Sequence, residues 1–138
     1  MDMRIIGFVS FTLLLTCGMA LAAPQWAPVA MASNEKVKAF VDLGSIRIDG
    51  ITRSALFKYV YAAHGEKDER VNKWRKVSSS QETFNCANET SRVETLSVRY
   101  EDGTEWSEAA DQLPTSWTPI GPDTLRDFQR RFICKGDK

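Results

Sequence analysis

Two cysteines, Cys86 and Cys134, lie beyond residue 22 of this 138-residue chain, and the residues before them set their chemistry. Met1 to Arg4 is a short, weakly basic lead. Ile5 to Thr16 is an almost uninterrupted apolar run with Phe8, Val9 and Leu13-Leu14-Leu15. It is shorter than the roughly 20 residues that span a bilayer. Ala20-Leu21-Ala22 then gives the small-x-small pattern of a signal-peptidase site. Residues 1–22 are therefore expected to be a signal peptide, and residues 23–138 one exported domain. The alternative is a short membrane anchor or buried helix. In an oxidising compartment an even cysteine count reads as a disulfide. Closing so long a loop is worth about 4 kcal/mol on the chain-entropy account. Two free thiols, the other reading, require a reducing compartment.

The signal has a second version. Leu14-Leu15-Thr16-Cys17 is similar to a bacterial lipobox, which makes Cys17 a candidate lipidation site. Thr16 stands where a smaller residue is usual. Cleavage at Ala22 predicts a periplasmic or secreted domain. Lipidation of Cys17 predicts membrane attachment and a place at the outer membrane or cell surface.

Acidic and basic residues balance to a formal net charge of +0. A nucleic-acid binder would carry a basic excess, so no nucleic-acid partner is expected. The segment after the signal is long enough for a single core. No stretch in it is apolar over the length a membrane helix needs.

Period-2 alternation dominates the first half. Trp26 to Ala32 is a short apolar strand. Val37, Ala39, Val41 and Leu43 alternate with Lys38, Phe40 and Asp42, and Ile46 and Ile48 extend the pattern past Gly44. Asp49-Gly50 is a tight-turn dipeptide. After it, Ile51 to Ala63 reads as a long strand with Ala55, Phe57, Tyr59 and Tyr61 on one side and Leu56 and Val60 on the other. The charged segment His64 to Lys76 reads as a surface loop. Strands follow at Val77 to Ala87, with Phe84 and Cys86 on one face, and at Arg92 to Tyr100, with Leu96, Val98 and Tyr100 on one face. Asp102-Gly103 marks another hairpin, returning through Thr104 to Ala109. Prolines 114, 119 and 122 then break regular structure around Trp117, which is expected to pack where the chain leaves the sheet. Asp123 or Thr124 caps a helix from about Leu125 to Cys134. Leu125, Phe128 and Phe132 give it an apolar face to pack on the sheet.

Chemistry-bearing motifs are sparse. His64 is the one histidine, at the edge of the charged loop. No nucleophile-elbow motif occurs. One histidine with two distant cysteines does not make a zinc site, and no calcium loop or phosphate-cradling glycine motif is present. The chain is therefore read as non-enzymatic, with no cofactor, metal or catalytic residue. Asn88-Glu89-Thr90 matches a glycosylation sequon, a match common by chance. Two basic clusters form a candidate interaction surface: Arg70, Lys73 and Arg75 around Trp74, and Arg126, Arg130 and Arg131 on the helix. The ordinary alternative is a solvated face neutralised by nearby acids.

Trp26, Phe40-Val41-Asp42 with Ser45-Ile46, Gly50, Ala55-Leu56-Phe57, Ser79, Cys86, Arg92 and Tyr100 occur in an order and spacing that resembles the surface-adhesin protein E family of bacterial envelope proteins. Trp117, Ile120-Gly121-Pro122, Leu125 and Cys134 continue the resemblance, which spans most of residues 26–134. It implies an α+β fold: an antiparallel sheet of about six strands with a C-terminal helix on one face, fixed by a Cys86–Cys134 disulfide. It also implies an adhesin-like protein whose partner is a host matrix or serum protein or another envelope component, with homodimerisation within the family's repertoire. A second functional expectation is a periplasmic small-ligand binder with a cleft between sheet and helix, lined by Tyr59, Tyr61, Trp106 and Phe128.

Overall fold

The computed structural model describes residues 22–31, 34–114 and 116–135. Residues 1–21, which hold most of the expected signal peptide and Cys17, lie outside the described residues. The strands are β1 (Trp26–Met31), β2 (Val37–Asp42), β3 (Arg47–Asp49), β4 (Thr52–Tyr61), β5 (Lys67–Asp68), β6 (Lys73–Asn85), β7 (Thr90–Tyr100), β8 (Glu105–Glu108) and β9 (Thr118–Pro119). One helix, α1, covers Leu125–Ile133. The strands form an antiparallel sheet in the order β1-β2-β4-β6-β7-β8, with the short segments β3, β5 and β9 paired to β4, β6 and β7. The expected six-strand sheet with a C-terminal helix is what the chain forms.

Alternation decides which side is buried, because successive side chains of a strand point to opposite faces. Val37, Ala39 and Val41 of β2 pair with Tyr61, Tyr59 and Phe57 of β4. Phe57, Ala55 and Arg53 pair in turn with Ser80, Glu82 and Phe84 of β6. These residues therefore share the face that α1 covers. Val41, Ala55, Phe57 and Phe84 are fully buried, and Ile133 of α1 completes that core. Phe57 and Phe84 meet edge to face with ring centroids 5.7 Å apart, a favoured aromatic geometry. Cys86, just past β6, is bonded to Cys134 at the C-terminal end of α1, with a Cα–Cα distance of 5.8 Å. A nine-residue helix is marginal in water on its own. The bridge and Ile133 hold its last turn to the sheet.

Four details differ from the sequence-based expectation. The second strand does not run past Gly44. Asp42 Oδ1 accepts from the Gly44 amide at 3.1 Å, and the Ser45 hydroxyl donates to the Asp42 carbonyl at 2.7 Å while accepting from the Leu56 amide at 2.8 Å. These bonds fold Leu43–Ser45 into a 3₁₀ turn and leave Leu43 exposed. The segment His64 to Lys76 is not one loop. β5 pairs with the start of β6, Asp68 opposite Lys73, around Asn72 at positive φ. Glu66, Asp68, Arg70, Lys73 and Arg75 lie in cross-strand and ion-pair contacts, which sequence polarity does not distinguish from solvated charges.

The face of α1 is also different. Phe128 is exposed, whereas Asp127, Gln129 and Ile133 are buried; Leu125 and Phe132 are half-buried. The helix turns a partly polar surface inward because Gln129 finds Tyr59 of the sheet and Asp127 is paired with the Asp123 amide, Arg130 and Arg131 at the helix itself. Trp117 remains on the surface at 37% exposure, its ring covered by the Arg92 guanidinium 5.0 Å from the centroid. Thr124 rather than Asp123 is the cap, its hydroxyl accepting from the Asp127 amide at 3.2 Å.

Candidate functional site

The N-terminal half of α1 does not close onto the sheet as its C-terminal half does. A groove of about 530 Å³ opens there, walled by Tyr59 and Tyr61 of β4, Ser78 and Glu82 of β6, and Arg126 and Gln129 of α1. Strand register accounts for the first four. Tyr59 opposes Ser78 and Ala55 opposes Glu82, so period 2 brings Tyr59, Tyr61, Ser78, Ser80 and Glu82 to one face. The Thr124 cap fixes where α1 begins and so sets Arg126 and Gln129 over that face.

Glu82 is the centre of the arrangement. It is 1% exposed. Its Oε1 accepts hydrogen bonds from the Tyr59 hydroxyl and, at 2.5 Å, from the Ser80 hydroxyl. Gln129, equally buried, donates from Nε2 to the Tyr59 oxygen at 2.7 Å. Oε2 of Glu82 is buried and accepts no hydrogen bond among the described residues. Nη2 of Arg126 stands 3.7 Å from it, beyond hydrogen-bond reach, while Nη1 of Arg126 reaches the Ser91 hydroxyl at 3.3 Å. Burial, and then the negative charge of Glu82, push the Tyr59 phenol well above its ordinary pKa; the Gln129 hydrogen bond opposes them. The phenol is thus held as a donor. Further along, the Tyr61 and Ser78 hydroxyls share a hydrogen bond of 2.9 Å.

The cleft expected between sheet and helix therefore exists with half of its expected lining. Tyr59 and Tyr61 are in it. Phe128 points away to solvent, and Trp106 sits on β8, three strands from β4, under the Arg70 guanidinium at 4.8 Å from the ring centroid. Glu82, Ser80 and Gln129 were not singled out in the sequence. One signal was available: in Ser78-Ser79-Ser80-Gln81-Glu82, every second residue lies in phase with Phe84, and an inward polar triplet on a central strand is unusual.

The two basic clusters each send one arginine, Arg75 and Arg126, to the groove, and their charges are paired within the molecule. Asp68, 2% exposed, receives Arg70 from Nε and Nη2 at 3.1 and 3.0 Å, the Tyr100 hydroxyl at 3.0 Å and Arg75 Nη2 at 3.4 Å. The Arg70 hydrogen bonds, with Tyr100 and the Arg75 charge, hold its carboxyl well below the usual range against the opposing effect of burial. Arg75 also meets Glu66 at 3.0 Å, and Lys73 meets Asp102 at 3.0 Å. Trp74 is half-buried, edge to face with His64 at 5.2 Å. His64 is exposed, with Glu101 3.4 Å away. On α1, Asp127 receives Arg130 at 2.9 Å and Arg131 at 2.6 Å. Among the described residues no group of three or more His, Cys, Asp or Glu could hold a metal ion, and no helix is long and apolar enough to cross a membrane.

An antiparallel sheet, one C-terminal helix and a disulfide between them define the class. The surface-adhesin protein E family matches residues 26–135, and the chain belongs to it. Two crystal structures of Haemophilus influenzae protein E share the fold. One is 16% identical with a TM-score of 0.52, over 82% of this chain and 90% of that one. The other, crystal form II, is 14% identical with a TM-score of 0.51, over 82% and 94%. Among curated proteins, no sequence matches this chain.

Proposed function

We propose that this chain is an exported envelope protein that acts by binding a protein partner, not by catalysis. Its family membership across residues 26–135 carries the reading. The partner class is a host matrix or serum protein, or another component of the envelope. The two basic clusters are the proposed docking surface. Side chains of Arg70 and Arg131 are 59% and 52% exposed, yet each is tethered to a buried aspartate. A tethered guanidinium loses less rotamer freedom on docking than a free one, which favours hot-spot behaviour. With the overall charge balanced, long-range steering is weak, so contact geometry and not field sets recognition.

The test is binding of immobilised matrix and serum proteins, and of solubilised envelope proteins, to the purified oxidised protein. Saturable binding that falls tenfold or more in the double variant Arg70→Ala, Arg131→Ala is expected. Absence of saturable binding to all of them overturns the reading. Mass analysis of the mature N-terminus separates a free Ala23 from a lipidated Cys17. Sedimentation equilibrium reads the self-association that the family leads one to expect.

A further inference from the structure

We propose that the groove between the sheet and the N-terminal half of α1 is a binding site for a neutral saccharide. The groove borrows Arg75 and Arg126 from the basic clusters, whereas Arg70 and Arg131, the two residues changed in the docking test, do not line it, so the two proposals fail separately.

The first observation is the orphaned oxygen. Buried polar atoms are almost always hydrogen-bonded. Oε2 of Glu82 is not, although Oε1 of the same carboxylate is doubly bonded by Tyr59 and Ser80. The protein orients the carboxylate through one oxygen and leaves the other for a donor. A supporting shell that fixes a side chain and spares one of its atoms is the usual construction of a recognition group.

The second observation is at the other end of the groove. Arg75 lines it, and its Nε is buried with no hydrogen-bond partner among the described residues, although the Tyr61 side chain interacts with the guanidinium. Two residues that line a single groove therefore each carry a buried polar atom without a hydrogen bond, an acceptor on Glu82 and a donor on Arg75. A hydroxyl group both donates and accepts, so a polyhydroxylated ligand can satisfy either; an ammonium or a carboxylate satisfies one sign only.

Charge selects in the same direction. The Glu82 charge is countered by Arg126 at 3.7 Å, and the Arg75 charge by Glu66 at 3.0 Å. A cationic ligand approaching Glu82 meets Arg126, and an anionic one approaching Arg75 meets Glu66. The groove is thus polar and balanced. Tyr59 and Tyr61 add aromatic surface to the Ser78 and Thr124 hydroxyls and the Gln129 amide. Amphipathic rings beside hydroxyl and amide groups suit a sugar ring, which has an apolar C–H face and a polar rim.

The experiment is a titration of the isotope-labelled, oxidised protein followed by amide chemical shifts. The neutral probes are maltotriose, chitotriose, mannotriose and lactose; pentalysine and a heparin tetrasaccharide are the charged probes. At least one neutral probe is expected to saturate shifts at residues 78–82 and 124–129. Glu82→Gln keeps the shape but exchanges one acceptor oxygen for a donor, and binding should weaken at least tenfold. Arg126→Ala at the rim should weaken it as well, and it serves should Glu82→Gln disturb folding. Phe128→Ala, on the outer side of α1, should leave it unchanged. The proposal is overturned if no neutral probe saturates, if shifts appear only outside the groove, if pentalysine or heparin binds there in preference, or if neither variant weakens binding.

Discussion

At its C-terminal end α1 is held to the sheet by Ile133, the Phe57–Phe84 pair and a covalent bond; at its N-terminal end it is held by hydrogen bonds around a buried carboxylate. The first end is closed and apolar, the second open and polar. A helix of two and a half turns needs only one such anchor to stay in place. The apolar end therefore accounts for the stability of the contact, and the polar end is free to serve another purpose. The same division places the groove beside Glu82 and not beside Cys134.

Removing the covalent link is the strongest way to break the comparison. Cys134→Ser opens a loop with a sequence separation of 48, and the chain-entropy account puts the loss near 4 kcal/mol. Amide exchange should accelerate across residues 125–134, most at the clamped end. Unchanged exchange would mean that packing alone holds the helix. Next in size is Ile133→Ala, expected to cost about 2–3 kcal/mol as a buried large-to-small change. Urea midpoints at constant slope measure it. A cost under about 1 kcal/mol would show that the apolar end does not anchor the helix.

Acid should loosen the helix from its polar side. Hydrogen bonds from Arg130 hold the Asp127 carboxyl below its ordinary pKa despite burial, helped by the Asp123 amide and Arg131. A depressed carboxyl contributes stability that is present above the unfolded-state value, about 3.9, and is lost as pH falls through the folded one. Asp68 adds to the same trend. Thermal midpoints should fall as pH drops below about 4, and Asp127→Asn should flatten that slope. An identical slope in the variant would remove Asp127 from the account.

Glu82→Gln sharpens the contrast by having a small effect on folding. Its Oε2 makes no hydrogen bond, so the substitution should change stability by less than about 1 kcal/mol. The Tyr59 phenol should titrate closer to about 10, because the adjacent negative charge is gone while burial remains. Ultraviolet difference titration reads this directly. A loss of several kcal/mol would make Glu82 a structural group.

The apolar end was legible in the sequence and the polar end was not, for one physical reason. Val37, Ala39 and Val41, and Ala55 and Phe57, announce their faces because burying apolar area needs no specific partner. Two cysteines announce a bridge through composition alone. Glu82 and Gln129 are buried only because Tyr59, 23 and 70 residues away in sequence, meets them at hydrogen-bond distance, and no local pattern encodes that meeting. The segment from His64 to Lys76 was misread on the same ground, since paired and solvated charges have identical letters.

The smallest expected effect tests the helix face itself. A 3.6-residue period places Leu125, Phe128 and Phe132 on one stripe, and an apolar stripe is ordinarily the buried one. Here the helix is rotated so that Gln129 and Ile133 point inward and Phe128 is 41% exposed, with Arg131 5.6 Å from its ring centroid. Phe128→Ala should therefore change stability by no more than about 0.5 kcal/mol, as surface substitutions do. Were the sequence stripe the buried face, the same change would cost about 3–5 kcal/mol. That gap is wide enough for one urea titration to decide, and it decides more than one side chain. A large cost would rotate α1, carry Gln129 off Tyr59 and close the groove over Glu82.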